Sequence, residues 1–282
     1  MNKYALLIDS TVYLSQQIIK DNNITVVSLN VVDGVDSYKE VEIDNTFIWD
    51  MQDKGVSWTT SQPAPGEFLE AYQTLLNQGY EAIFCVLLSK NISGTYQSAL
   101  LAKNMLEHPE SVHLFDTSLC AFGNEMIALE VLNMFEQQAS KEDIQKRITN
   151  IIANSGQMFT VENLFSLVKG GRLSVAKAMI GTVLRVKPIV KVIDGKLELV
   201  NSERTHKKVH QYFLSNINET WKENQKITFY VTSQNSKEVS LQVKELLLNQ
   251  YPGSKLTFTE YLGPVFSIHI GKKGYGISWF VE

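Results

Sequence analysis

Apolar runs of strand length alternate with helically spaced apolar positions through the first half of the chain. Tyr4 to Ile8 is one such run, ending in Asp9-Ser10-Thr11, Leu14 to Lys20 carries helical spacing, and Ile24 to Leu29 is strand-like again. The chain therefore opens as βαβ. Asp44 is placed to cap a helix reaching Met51, and Pro65 suits the first turn of a helix running to Asn77. Ala82 to Leu88 is an apolar strand that runs straight into Ser93-Gly94, where a helix through Met105 begins. Val112 to Phe115, Asp116-Thr117-Ser118 and a long helix through Ala128 and Phe135 complete the series. Strands that alternate with helices predict a parallel sheet covered on both faces.

The pattern changes after a helix from Lys141 to Asn154 that ends at Ser155-Gly156, and we place a domain boundary there, giving 1–156 and 157–282. Met158 to Val161 reads as strand and Glu162 to Val168 as helix, broken at Gly170-Gly171. Ser174 to Leu184 reads as a helix rich in small residues, among them Ala176, Ala178 and Gly181, and Val186 to Ile193 is a strand leading to a turn at Asp194-Gly195-Lys196. Helix 205–220, strand 226–232, helix 236–249, strand 255–261 and a strand-rich end predict a mixed α/β second domain.

Composition narrows the class. A chain of 282 residues exceeds the usual limit of a single core, and 44% hydrophobic with 20% charged residues is ordinary for a globular protein. A net charge of −4 lacks the basic excess that a phosphate backbone demands, so general nucleic-acid binding is disfavoured. Two cysteines, Cys85 and Cys120, are too few for a disulfide framework or a zinc cage, which fits a reducing cytoplasm. Asp9 interrupts what a signal peptide needs to keep apolar, and no apolar run reaches membrane-spanning length. We expect a cytoplasmic protein without a metal.

In open α/β sheets the loops leaving the carboxyl ends of the strands collect at the ligand-binding edge. Asp9-Ser10-Thr11, Ser89 to Thr95 and Asp116-Thr117-Ser118 belong there, with Thr59 to Ser61 alongside. Each alone is also an ordinary set of helix caps. Ser93-Gly94 is the most suggestive: unpaired N–H groups, a positive dipole end, a hydroxyl and a glycine that admits a ligand to the main chain make an anion seat. His269, in an apolar stretch flanked by glycines, is either structural or a partner for that anion. Ser93, His269 and Asp9 or Asp116 also have the residue types of a serine hydrolase, but Asn91-Ile92-Ser93-Gly94-Thr95 lacks the G-x-S-x-G elbow. Neither phosphate-loop glycine motif is present, which argues against a nucleotide-binding protein.

Seven motifs in order resemble the DegV family of fatty-acid-binding proteins over nearly the whole chain. They are Asp9-Ser10-Thr11, Thr60-Ser61-Gln62-Pro63, Ser93 to Ala99, Lys169-Gly170-Gly171-Arg172, Lys187-Pro188-Ile189, Arg204-Thr205 and Gly263-Pro264-Val265 with His269. The resemblance implies a two-domain α/β fold, an N-terminal three-layer parallel-sheet domain followed by a two-layer mixed-sheet domain. It implies a long-chain fatty acid between the domains, no other cofactor and no catalytic base. The carboxylate is implied to be held by Thr60, Ser61, Ser93, Gly94 and His269, with Arg172 close by. A partner fatty-acid kinase that phosphorylates the carboxylate is also implied, with Arg204 and Lys207 in partner or membrane-surface contact. Ala176, Met179, Phe159 and Phe266 are expected to shape the acyl tunnel. One departure from the family lies at Gly271-Lys272-Lys273-Gly274, where charge partly replaces a glycine-rich loop.

Overall fold

The structure, a computed structural model, describes residues 3–162, 164–173, 186–223 and 225–282. The chain divides into two compact units, one of residues 1–150 with 263–265 and the other of 151–262 with 266–282.

The first unit is built on four parallel strands in the order β2-β1-β6-β7: β1 (Tyr4–Asp9), β2 (Thr25–Val27), β6 (Ala82–Leu87) and β7 (Val112–Asp116). Every residue of β6 is buried, as a strand covered on both faces must be. Successive side chains point to opposite faces, so Ala5, Leu7, Ile83, Cys85 and Leu87 pack on Phe68, Tyr72 and Leu75 of α3 (Pro65–Asn77) and on Ala99 and Ala102 of α4 (Thr95–Lys103). The opposite face presents Tyr4 and Phe84, which meet Phe135 of α5 (Phe122–Glu136) in tilted and edge-on ring contacts. Two helices on one face and one on the other make the expected three layers. Helices α1 (Gln16–Asp21) and α2 (Asn45–Asp53) are capped by Ser15 and Asp44, whose side chains accept from Ile18 and Phe47 N–H.

A small antiparallel sheet, absent from the sequence expectation, also belongs to this unit: β3 (Asn30–Val32) lies between β4 (Ser37–Lys39) and β5 (Thr59–Ser61). Three-residue strands carry too little alternation to be read from sequence. Tyr38, Phe47 and Trp58 bind this sheet to α2 through mutual ring contacts at 5.4 to 6.0 Å, and the buried Trp58 indole donates to the Ile48 carbonyl. Thr59 to Ser61 is thus a strand rather than the loop expected.

The second unit holds six strands in the order β10-β9-β8-β13-β11-β12: β8 (Ser155–Val161), β9 (Lys187–Ile193), β10 (Lys196–Glu203), β11 (Ile227–Gln234), β12 (Lys255–Thr259) and β13 (Gly274–Val281). All pairings are antiparallel except β11 with β12, which makes the sheet mixed. Met158, Phe229, Ile277 and Trp279 pack under Val209, Phe213 and Ile217 of α8 (His206–Thr220) and Val243 and Leu247 of α9 (Lys237–Gln250). Ser155-Gly156 opens β8 instead of ending the preceding helix, α6 (Lys141–Ala153). The glycine there leaves room for the Trp279 ring, since a Cβ would lie only 2.6 Å or less from three of its carbons. The segment before β13, expected to be strand, is a short helix, α10 (Pro264–Ile270). Phe266, Ile268 and Ile270 alternate with Ser267 and His269, which is the period of a strand, so the pattern points away from the helix that forms. The expected helix Ser174 to Leu184, with Ala176 and Met179, lies outside the described residues. No helix among those described is long and apolar enough to cross a membrane.

Candidate functional site

In the first unit, Ser93 sits where β6 gives way to α4. The intervening loop coils tightly, with Ile92 and Ser93 N–H both donating to the Ser89 carbonyl at 2.9 and 3.1 Å. Neighbouring segments hold it: Ser89 N–H donates to the Leu119 carbonyl, and Lys90 N–H to Asp116 Oδ1. Gly94 is the N-cap residue, so the hydroxyl of Ser93 stands one position before the N-cap. That hydroxyl lies 2.9 Å from Thr95 Oγ1 and accepts from Thr95 N–H at 3.3 Å. It is therefore oriented beside the first-turn N–H groups, which have no acceptor within the helix.

Thr60 and Ser61 end β5 opposite Val31 and Asn30, and Gln62 follows them directly over Gly94. A Cβ at Gly94 would lie 2.9 Å from the Gln62 side-chain amide, so the two motifs meet face to face and only hydrogen fits between them. Ser93, Gly94 and the Thr60-Ser61-Gln62 strand end thus form one polar corner. Gln62 is the member that sequence reasoning passed over, although it stands inside a motif already singled out.

The Asp9 carboxylate does not join that corner. Its Oδ1 accepts from the N–H and hydroxyl of Thr11, and its Oδ2 accepts from Leu88 N–H at 2.8 Å, so it fastens the end of β1 to the end of β6. Burial pushes its pKa up to about 6 against these hydrogen bonds. Asp116 is likewise engaged with Lys90 and Ser118 N–H and the Lys90 ammonium. Both carboxylates considered for a hydrolytic triad are structural, and nothing supports the hydrolase arrangement.

A second buried carboxylate, unforeseen in the sequence, is Glu40. It accepts from the Ser10 hydroxyl at 2.5 Å, the Tyr13 hydroxyl at 2.9 Å and Val265 N–H at 2.9 Å. Lys39-Glu40-Val41-Glu42 reads as an exposed charged run, so nothing local marks Glu40 as buried. Loss of solvation drives its pKa up to about 7, with Asp9 adding repulsion.

In the second unit, α7 (Phe165–Lys169) ends on Gly170-Gly171, with Gly171 at φ +73° and the Arg172 N–H returning to the Leu167 carbonyl. This turn brings Arg172 round to donate to the Gly170 carbonyl. His269, on α10, packs on Gly170 so closely that a Cβ there would lie 2.7 Å from its Nδ1. A buried bond from Gln234 Nε2 to Ser267 Oγ at 2.7 Å fixes the helix that carries it. Burial, reinforced by the Arg172 charge, lowers the His269 pKa to about 4, so the imidazole is neutral at pH 7. Arg172 and His269 thus form one corner of this unit. Arg204 and Lys207 are exposed around Thr205, which caps α8 by accepting from Lys208 N–H. Phe159 and Phe266 belong to the second unit, on β8 and α10.

Comparison with known proteins gives a consistent picture. The family model described as an uncharacterised protein of the DegV family matches residues 3–282. A DegV domain-containing protein of Staphylococcus aureus is 34% identical over 281 residues, covering 98% of this chain and 97% of its own. Among solved structures, a DegV family protein from Thermus thermophilus described for its fatty-acid binding superposes with a TM-score of 0.89 at 27% identity, covering 99% of both chains. DegV of Bacillus subtilis, described as a fatty acid binding protein, matches with a TM-score of 0.84 at 29% identity and the same coverage.

Proposed function

The chain belongs to the DegV family, and from that premise we propose that it binds a long-chain fatty acid and serves as a non-catalytic carrier. The observation that carries this reading is the meeting of Ser93-Gly94 with Thr60-Ser61-Gln62, a hydroxyl-rich corner at a helix N-terminus suited to a carboxylate. His269 and Arg172 supply the complementary donors from the second unit. A neutral imidazole offers an N–H without the cost of a buried cation, and a guanidinium beside it supplies charge. A carboxylate removed from water needs several such donors.

Head and tail contribute differently. Burying about fifteen methylenes at about 0.8 kcal/mol each amounts to about 12 kcal/mol before ordering costs, whereas a hydrogen bond to a charged group contributes about 1.5 to 3 kcal/mol. The tail sets affinity and the head group sets orientation. Phe159 and Phe266 line the acyl chain in this reading. The carrier presents the carboxylate to a partner fatty-acid kinase in the cytoplasm, with Arg204 and Lys207 as the exposed cationic contact for that partner or a membrane surface.

Native mass spectrometry of the purified protein tests the reading. A co-purified mass matching a C16 or C18 fatty acid is expected, and a protein that neither carries nor takes up fatty acid rejects it. Phosphorylation of the bound fatty acid by a separately purified kinase, lost in Arg204→Glu, tests the presentation step.

A further inference from the structure

The second unit contains a cavity of about 960 Å³ whose lining includes Thr160, Lys187, Arg204, His206, Ser236 and Lys273, and neither Arg172 nor His269. We propose that this cavity binds a phosphorylated organic molecule through its phosphate group.

Two helices begin at its wall. Arg204 and His206 bracket the start of α8, fifteen residues long, and Ser236 to Val239 form the start of α9, fourteen residues long. Each start presents unpaired N–H groups and the positive end of a helix dipole to the same space. The α9 start is the more open of the two. Ser236 is its N-cap residue but makes no capping bond, because its hydroxyl donates back to the Gln234 carbonyl.

Side chains add to that field. Lys187 and Arg204 line the cavity without an ion-pair partner among the described residues, whereas Lys273 is matched by Glu162 at 3.7 Å. Burial and the neighbouring Lys187 charge hold the His206 imidazole below its ordinary pKa. Its Nδ1 lies 2.9 Å from the Tyr275 hydroxyl, which keeps the ring at the wall.

Thr160 supplies the independent sign of a ligand. It is 3% exposed, yet its hydroxyl has no hydrogen-bond partner among the described residues. It stands directly across from Tyr275 in the β8–β13 ladder and shares the sheet face of Met158, which is the face the cavity adjoins. A buried hydroxyl without a partner is costly, and a phosphate oxygen in the cavity relieves that cost. Hydroxyl, ammonium, guanidinium and helix N–H groups approaching from different directions suit a tetrahedral dianion better than a planar carboxylate. The volume leaves room beside a phosphate group for the rest of a phosphorylated organic molecule.

The test titrates the full-length, isotopically labelled protein with inorganic phosphate and follows amide resonances, with chloride at matched ionic strength as the control. Saturable shifts at Thr160 and Ser236 to Glu238 are expected with phosphate and not with chloride. Thr160→Val, which preserves side-chain shape, and Lys187→Ala should each raise the phosphate dissociation constant about tenfold or more. Fatty-acid occupancy by native mass spectrometry should be unchanged in both, so that this proposal and the fatty-acid reading fail separately. Shifts equal in chloride, or a phosphate affinity unaltered by both variants, overturn the proposal. Glycerol phosphate and phosphatidylglycerol vesicles then distinguish the sources. Tight binding of the soluble ester alone assigns a metabolite, and vesicle binding displaced by inorganic phosphate assigns a lipid head group.

Discussion

The backbone N–H of Val265 donates to the carboxylate of Glu40 at 2.9 Å, joining residues 225 positions apart within the first unit. The same carboxylate gathers the Ser10 and Tyr13 hydroxyls, and Ser10 in turn accepts from Leu29 N–H. One buried acid therefore ties the ends of β1 and β2 and the segment Gly263–Val265 into a single knot.

That knot makes stability fall as pH rises. Glu40 has a folded-state pKa of about 7 against an ordinary glutamate value of 4.5, so the native state holds its proton more tightly than the unfolded chain does. Its contribution is fully present below about pH 4.5 and is lost as pH rises through about 7, an effect on the order of 3 kcal/mol. Asp9 and Glu125, raised to about 6 and about 8, act in the same direction. Urea midpoints between pH 5 and 8 should decline, and Glu40→Gln should flatten the decline; an equal slope in the variant removes Glu40 as the cause.

Asp9→Asn should cost about 1 to 3 kcal/mol, because one of its oxygens becomes an amide that cannot accept from Leu88 or Thr11 N–H. Calorimetry at pH 7 checks this. A melting temperature equal to that of the parent contradicts the structural role.

Ser93→Ala should weaken fatty-acid binding about tenfold while leaving the melting temperature nearly unchanged. The hydroxyl is partly exposed, so water replaces it as the acceptor for Thr95 N–H. Displacement of a fluorescent fatty acid measures the first quantity, and undiminished affinity counts against the carboxylate corner.

Gly94→Ala probes the meeting of the two motifs. Its φ of −73° suits any residue, so the fold should tolerate the change, but the methyl must push the Gln62 side chain aside. Fatty-acid affinity should fall several-fold with little loss of stability. Normal affinity would show that Gln62 and Gly94 need not touch for binding.

Fatty-acid affinity should stay nearly level between pH 8 and 6, because the His269 imidazole, its pKa held at about 4, is neutral throughout that range and donates an N–H. His269→Phe should weaken binding about tenfold at each pH by removing that donor. Titration of the dissociation constant across this range decides it, and an affinity unaltered by the variant rejects a role for His269 at the carboxylate.

Local pattern determined the parallel sheet, because β1, β6 and β7 are apolar runs bounded by helices whose caps, Asp44 and Pro65 among them, are written in a few adjacent residues. The same is true of Ser93-Gly94 as a helix start. Pattern did not determine β3, β4 and β5, which are too short to show alternation, or α10, whose alternating Phe266, Ile268 and Ile270 carry the period of a strand. Which polar residues are buried was decided by tertiary structure alone. Glu40 and Glu42 look alike in sequence, yet only Glu40 turns inward to meet donors from Ser10, Tyr13 and Val265. A buried acid is defined by partners distant along the chain, and no local pattern carries that information.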